Sequence, residues 1–367
     1  MFLTVDEIDR CTQWLLKHAS APVQYLTHKH ILQTDPASES MLALWEMVKG
    51  SEEAGEIFSK QNDDGSFFSG GPWGPRGYRR ESGLGYNATR PKFTTTSWLL
   101  PFLGGMGFTA ANDARVQKSC EYILADTGIP NQIQEALPKE GNTCGLYAIP
   151  LRALASVGMA NDERLRGSWT WLSICQRKDG GWLNPNHLID SRTPSTTIGR
   201  WPWDRSCAWG SFYAVEALFL AENSQLRPAL EASLDFMHWH LAQSRREVIQ
   251  TWVYHGHNLV KELLMFSETG QYLRSETVVA LLDWLKGYYR PKEGMFRAQE
   301  KPIPNFVRQV SGIVQEYENK FGQDYWERVS KTSNSVLRYH LYHLVEDDWL
   351  TYYLIRIAQN LVRHPAD

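Results

Sequence analysis

Gln61-Asn62-Asp63-Asp64-Gly65-Ser66-Phe67 recurs as Gln176-Arg177-Lys178-Asp179-Gly180-Gly181-Trp182, each copy closing an apolar helix end, Ile57-Phe58 in the first and Leu172-Ser173-Ile174 in the second. Both copies read Gln, two polar residues, Asp-Gly, one small residue and an aromatic. This is the chemistry of a turn between helices. Gly admits backbone conformations that other residues resist, and a Gln amide offers donor and acceptor to backbone groups left over at helix ends. The copies lie 115 residues apart, about two units of a repeat near roughly 57 residues. Trp284 to Phe296, ending Lys292-Glu293-Gly294-Met295-Phe296, reads as a degenerate third copy.

After each turn and a loop of variable length comes a small, apolar, nearly uncharged segment: Thr95 to Leu103, Cys144 to Leu154, and Cys207 to Leu218. A fourth, His255 to Leu264, is more polar at its start. A helix apolar on every side is buried on every side, whereas alternating segments such as Asp113 to Leu124 carry one apolar stripe with charges opposite. Inner helices alternating with outer helices predict an all-α fold, an α/α toroid in which two concentric rings form an (α/α)5-6 barrel, with residues 1–367 as one domain. Pro101 and Pro150 fall inside inner segments and predict irregular helices there. Period-two alternation is sparse, so strands are not expected. Residues 69–91, rich in Gly, Pro and Arg, predict a long loop.

The bulk numbers exclude several classes. With 367 residues, 43% hydrophobic and 12% aromatic, the chain can bury a large core. Lys+Arg (38) nearly balances Asp+Glu (41), so no positive field draws in a phosphate backbone and a nucleic-acid partner is excluded. The N-terminus meets acids at Asp6 and Glu7 without the basic flank of a secretory signal, and no apolar stretch reaches the roughly 20 residues of a membrane span. A cytoplasmic location is expected. Five scattered cysteines without a CxxC read as free thiols.

The two Gln-to-aromatic turns resemble the Gln/Trp motifs of squalene and hopene cyclases and the Asp-Gly-Gly turns of protein prenyltransferase β-subunits. The resemblance extends loosely over residues 20–360 and implies that the Gln caps a neighbouring helix and ties adjacent repeats together. The chain also resembles a group of bacterial proteins built of prenyltransferase-type repeats, in which a Ser-Cys-x-Trp-Gly segment follows the turn, as Ser206-Cys207-Ala208-Trp209-Gly210 does here. That group brings no established reaction. The acidic Asp-x-Asp-Asp and Asp-Asp-x-x-Asp motifs of terpene cyclases and synthases are missing; Glu346-Asp347-Asp348-Trp349 and Asn62-Asp63-Asp64-Gly65 are the nearest clusters, and neither fits.

The β-subunit resemblance also implies zinc, held there by Asp-x-Cys and a later His. Trp203-Asp204-Arg205-Ser206-Cys207 is similar with one residue more between acid and thiol. Counting back equally from Glu222 and Gly270 places Cys207 and His255 at corresponding starts of neighbouring segments. Asp204, Cys207 and His255, with His257 in reserve, thus offer carboxylate, thiolate and imidazole, as zinc ligands or as acid–base groups. A buried thiol at Cys207 and a helix N-cap at Asp204 explain the same residues without metal. Trp98, Trp209, Phe212, Tyr213 and Tyr254 are the aromatics whose inner-segment placement suits a cavity lining. Arg79 and Arg80, on the long loop, suit an anionic group or simply a solvated loop.

Three functions compete. The first is an enzyme or binding protein that takes a hydrophobic small molecule, isoprenoids included, into the centre of the toroid. The second is a non-catalytic scaffold with a degenerate site, and the third a glycan-processing α/α-barrel enzyme.

Overall fold

A computed structural model describes residues 2–67, 96–127, 144–182, 206, 208–243, 259–297 and 346–364. These residues are predominantly α-helical. The helices are α1 (Val5–His18), α2 (Ala21–Leu26), α3 (Glu39–Lys49), α4 (Glu52–Phe58), α5 (Thr96–Gly105), α6 (Ala114–Thr127), α7 (Cys144–Ser156), α8 (Arg166–Ile174), α9 (Ala208–Leu220), α10 (Arg227–Gln243), α11 (Leu259–Thr269), α12 (Glu276–Lys286) and α13 (Asp347–Arg363). Among the described residues the only strands are β1 (Tyr289–Arg290) and β2 (Met295–Phe296), an antiparallel pair. No described helix is long and apolar enough to cross a membrane. The chain divides into two compact units, one of residues 58–240 and one joining residues 1–57 to residues 241–367.

In the unit of residues 58–240 the two expected kinds of helix alternate. Every residue from Thr96 to Leu103 of α5 and from Ser211 to Leu218 of α9 is buried, as is Ala148 to Ala155 of α7. By contrast α6 buries one stripe, Val116, Ser119, Cys120, Ile123 and Leu124, at the spacing of a helix with one wet face. Helix α7 packs against both α5 and α9, while α6 packs against α5 and α7, and α8 against α7. The helices run on through Pro101 and Pro150, against expectation. Each proline forfeits one backbone hydrogen bond, and burial on all sides, as at Leu99, Leu100, Phe102 and Leu103 around Pro101, offsets it.

The repeated turns are built alike. Gly65 and Gly180 have φ of 89° and 86°, and their N–H groups donate to Asn62 O and Arg177 O, each at 2.9 Å. Gln176 Nε2 donates to Gly180 O and to Ala229 O of α10, both at 2.8 Å. Gln61 Nε2 reaches Arg115 O and Ser119 Oγ of α6, again at 2.8 Å. The Gln therefore ties its turn to the next outer helix, as the resemblance implied. It does so by donating to carbonyls near the start of that helix, not by serving its orphan N–H groups.

A second tie joins turn to inner helix. Phe67 N donates to Thr96 Oγ1 of α5 at 3.2 Å, and Trp182 N to Ser211 Oγ of α9 at 2.8 Å. Ser211→Ala should destabilise the unit by about 1–2 kcal/mol, because the Trp182 N–H stays buried with no acceptor. An unchanged urea midpoint for this variant would show that the bond is not formed in solution.

The other unit contains the third turn. Gly294 has φ of 71° and Phe296 N donates to Thr351 Oγ1 of α13 at 2.9 Å, so the copy read as degenerate keeps both the left-handed glycine and the hydroxyl anchor. A Cβ on Gly294 would lie 3.2 Å from Arg10 O of α1. The N-terminal helix thus holds, for this turn, the place that α6 and α10 hold for the other two. Helix α1 starts with a capping box, Thr4 N donating to Glu7 Oε2 and Glu7 N to Thr4 Oγ1. Asp348, in the first turn of α13, accepts from Ser20 N and Oγ at 2.9 and 2.7 Å, which gives one acid of the Glu346-Asp347-Asp348 cluster a structural role.

Candidate functional site

The inner helices α5, α7 and α9 carry one cation and one anion between them, Arg152 and Glu216. The two meet: Arg152 Nη1 lies 3.1 Å from Glu216 Oε2, and the residues are 3% and 5% exposed. A charge on a helix buried all round cannot reach water, so it must find a partner on a neighbour. Around the pair stand aromatic rings from the flanking helices. The Arg152 guanidinium lies 5.6 Å from the ring centroid of Trp98 on α5 and 5.1 Å from that of Tyr213 on α9. Those two rings meet edge to face at 5.4 Å, and Phe212 lies 5.7 Å from Tyr213. Burial holds the Tyr213 phenol well above its usual range, with the Arg152 cation opposing and Glu216 adding to the rise. Arg152 Nε is buried and finds no hydrogen-bond partner among the described residues.

Three expected lining residues, Trp98, Phe212 and Tyr213, therefore come together on the inner helices. Trp209 lies on α9, but its side chain is outside the described residues, as are Tyr254, Arg79, Arg80, Asp204, Cys207, His255 and His257 altogether. The counting frame used for Cys207 and His255 has a structural basis, since Glu222 and Gly270 both take left-handed backbone, φ 48° and 74°, after their helices. In that frame Arg152 and Glu216 occupy equivalent positions before Gly158 and Glu222, as Trp98 and Tyr213 do before Gly107 and Glu222. The expectation of zinc is corrected: among the described residues no group of three His, Cys, Asp or Glu side chains is placed to hold a metal ion. One residue too many between Asp204 and Cys207 already departs from the ligand spacing that zinc geometry demands.

A second polar cluster, unforeseen in the sequence, lies in the unit of residues 1–57 and 241–367. Arg356 of α13 pairs with Glu268 of α11 and donates from Nη1 to Tyr352 Oη at 3.2 Å. His30, on a π-helical turn spanning Thr27–Ile31, sets its ring edge-on to Tyr352, 6.4 Å between centroids. Burial, helped by the Arg356 and Lys29 cations, pushes the His30 imidazole down to about 3. A histidine neutral when folded and protonatable when unfolded adds stability above its unfolded pKa, near ~6.5, and loses it as pH falls toward the folded value. The melting temperature should therefore fall between pH 7 and pH 4, and His30→Gln should flatten that slope. A His30 proton resonance titrating near pH 6.5 would contradict the burial.

No family model matches the chain, and no match is found among curated proteins or solved structures.

Proposed function

We propose that the chain is an α/α toroid of the prenyltransferase and squalene-cyclase kind and that it holds a hydrophobic small molecule against its inner helices, around Trp98, Arg152, Phe212 and Tyr213. The toroid reading draws support from the alternation of buried and half-buried helices, the three equivalent turns, and the place α1 takes beside the third of them. The functional reading rests on one observation, the Arg152–Glu216 pair among aromatic rings. Replacing a buried ion pair with apolar residues is commonly neutral or stabilising. Inner helices that keep such a pair beside polarisable rings suit a bound molecule better than they suit packing alone. Asp204, Cys207, His255 and His257 are the groups proposed for acid–base chemistry on that molecule.

Native mass spectrometry of the purified protein tests this reading. A co-purified apolar molecule released on denaturation is the expected result. A bound sugar would favour the glycan-processing alternative, and protein that neither carries nor takes up any apolar compound would favour the scaffold.

A further inference from the structure

We infer that the molecule bound at the inner helices is a neutral oxygenated compound, an alcohol, aldehyde or ketone on an apolar body, and neither a pure hydrocarbon nor an anion; this rests on the proposed function. Arg152 Nε is a donor on a residue only 3% exposed, and among the described residues it has no acceptor. Leaving such a donor unpaired is costly in a dry interior, so an oxygen offered at that position is favoured over a bare hydrocarbon. The guanidinium's charge is already met by Glu216 at 3.1 Å, and α5, α7 and α9 supply no second cation. A second anion beside Arg152 would face the Glu216 carboxylate across a poorly screened interior. The Arg152 Nε donor thus suits an acceptor without net charge. The rings of Trp98 and Tyr213, each within 6 Å of the guanidinium carbon, would receive the apolar body next to that oxygen.

The test uses three probes with one carbon skeleton, farnesol, farnesene and farnesyl diphosphate, titrated into the full chain and followed by tryptophan fluorescence. Farnesol should bind at least about tenfold more tightly than either of the others. Arg152→Lys keeps a cation for Glu216 but has no N–H at the Nε position, and it should bring farnesol down to the level of farnesene. If Arg152→Lys does not fold, the wild-type ranking alone decides. Equal binding of farnesene and farnesol, tightest binding of the diphosphate, or a farnesol preference that survives in Arg152→Lys would each overturn the inference while leaving the proposed function in place. Binding of none would overturn the inference too, and the proposed function would then stand or fall on the native mass spectrum.

Discussion

Gly180→Val should leave no cooperatively folded protein at room temperature, and even Gly180→Ala should lose about 4 kcal/mol or more. Two costs combine. Gly180 has φ of 86°, where a side chain is strained by about 1 kcal/mol or more. A Cβ there would also lie 1.9 Å from Ala232 O and 2.7 Å from Ala232 C of α10. Both are backbone atoms inside a helix and cannot rotate aside. The turn would have to withdraw from α10, breaking the Gln176 bond to Ala229 O and pulling Trp182, which is fully buried, off its Ser211 anchor. The three turns predict a graded series, because the corresponding Cβ contacts are 2.5 Å to Lys118 O at Gly65 and 3.2 Å to Arg10 O at Gly294. Alanine should therefore harm Gly180 most, Gly65 next and Gly294 least. Gly55, inside α4 with nothing within 4 Å, is the control, and Gly55→Ala should stabilise by about 0.5–1 kcal/mol. Urea unfolding followed by circular dichroism measures all four, and a Gly180→Ala midpoint near that of the wild type would show that the close approach to α10 is absent in solution.

The turn was legible because everything that specifies it lies within seven residues. Its energetic weight was not, because the φ of an Asp-Gly turn follows from local chemistry while the 1.9 Å approach depends on where a distant helix lies. The hydroxyl anchors were hidden for a related reason. Phe67 and Trp182 each find their Ser or Thr 29 residues downstream, whereas Phe296 finds Thr351 at 55, so no constant spacing announces them. Their only local mark is a hydroxyl near the start of an uncharged segment. Alternation of helix types was legible from hydrophobic pattern, but that pattern overstated the disruption by Pro101 and Pro150, since burial outweighs one lost hydrogen bond.

The candidate site was half legible. Aromatic placement found Trp98, Phe212 and Tyr213, whereas Arg152 and Glu216 passed as blemishes in segments read as nearly uncharged. The opposite inference was available: a single charge in a helix apolar on every side must be buried, and a buried charge must be paired. Two such helices with opposite charges at equivalent positions are each other's partners. The cluster of His30, Tyr352, Arg356 and Glu268 offered no comparable mark, because its members come from three distant segments of the chain and the π-helical turn that carries His30 has no simple periodicity.

Arg152→Met should destabilise by about 3–5 kcal/mol, because it leaves the Glu216 carboxylate 5% exposed with its charge no longer answered by Arg152. Glu216→Leu should cost a similar amount by stranding the guanidinium. Methionine fills much of the volume of the arginine stem, so lost packing accounts for little of the difference. The double variant Arg152→Met/Glu216→Leu should regain most of the loss and reach or exceed wild-type stability, giving a coupling energy of several kcal/mol in the cycle of urea midpoints. Trp98 meets Tyr213 edge to face beside the pair and neither residue is changed in these variants, so intrinsic tryptophan fluorescence reports whether the inner helices stay packed. Additive single variants would mean that the two charges do not meet in solution. A double variant as stable as the wild type that no longer takes up a ligand would separate the pair's two effects: the fold would tolerate its removal and binding would not.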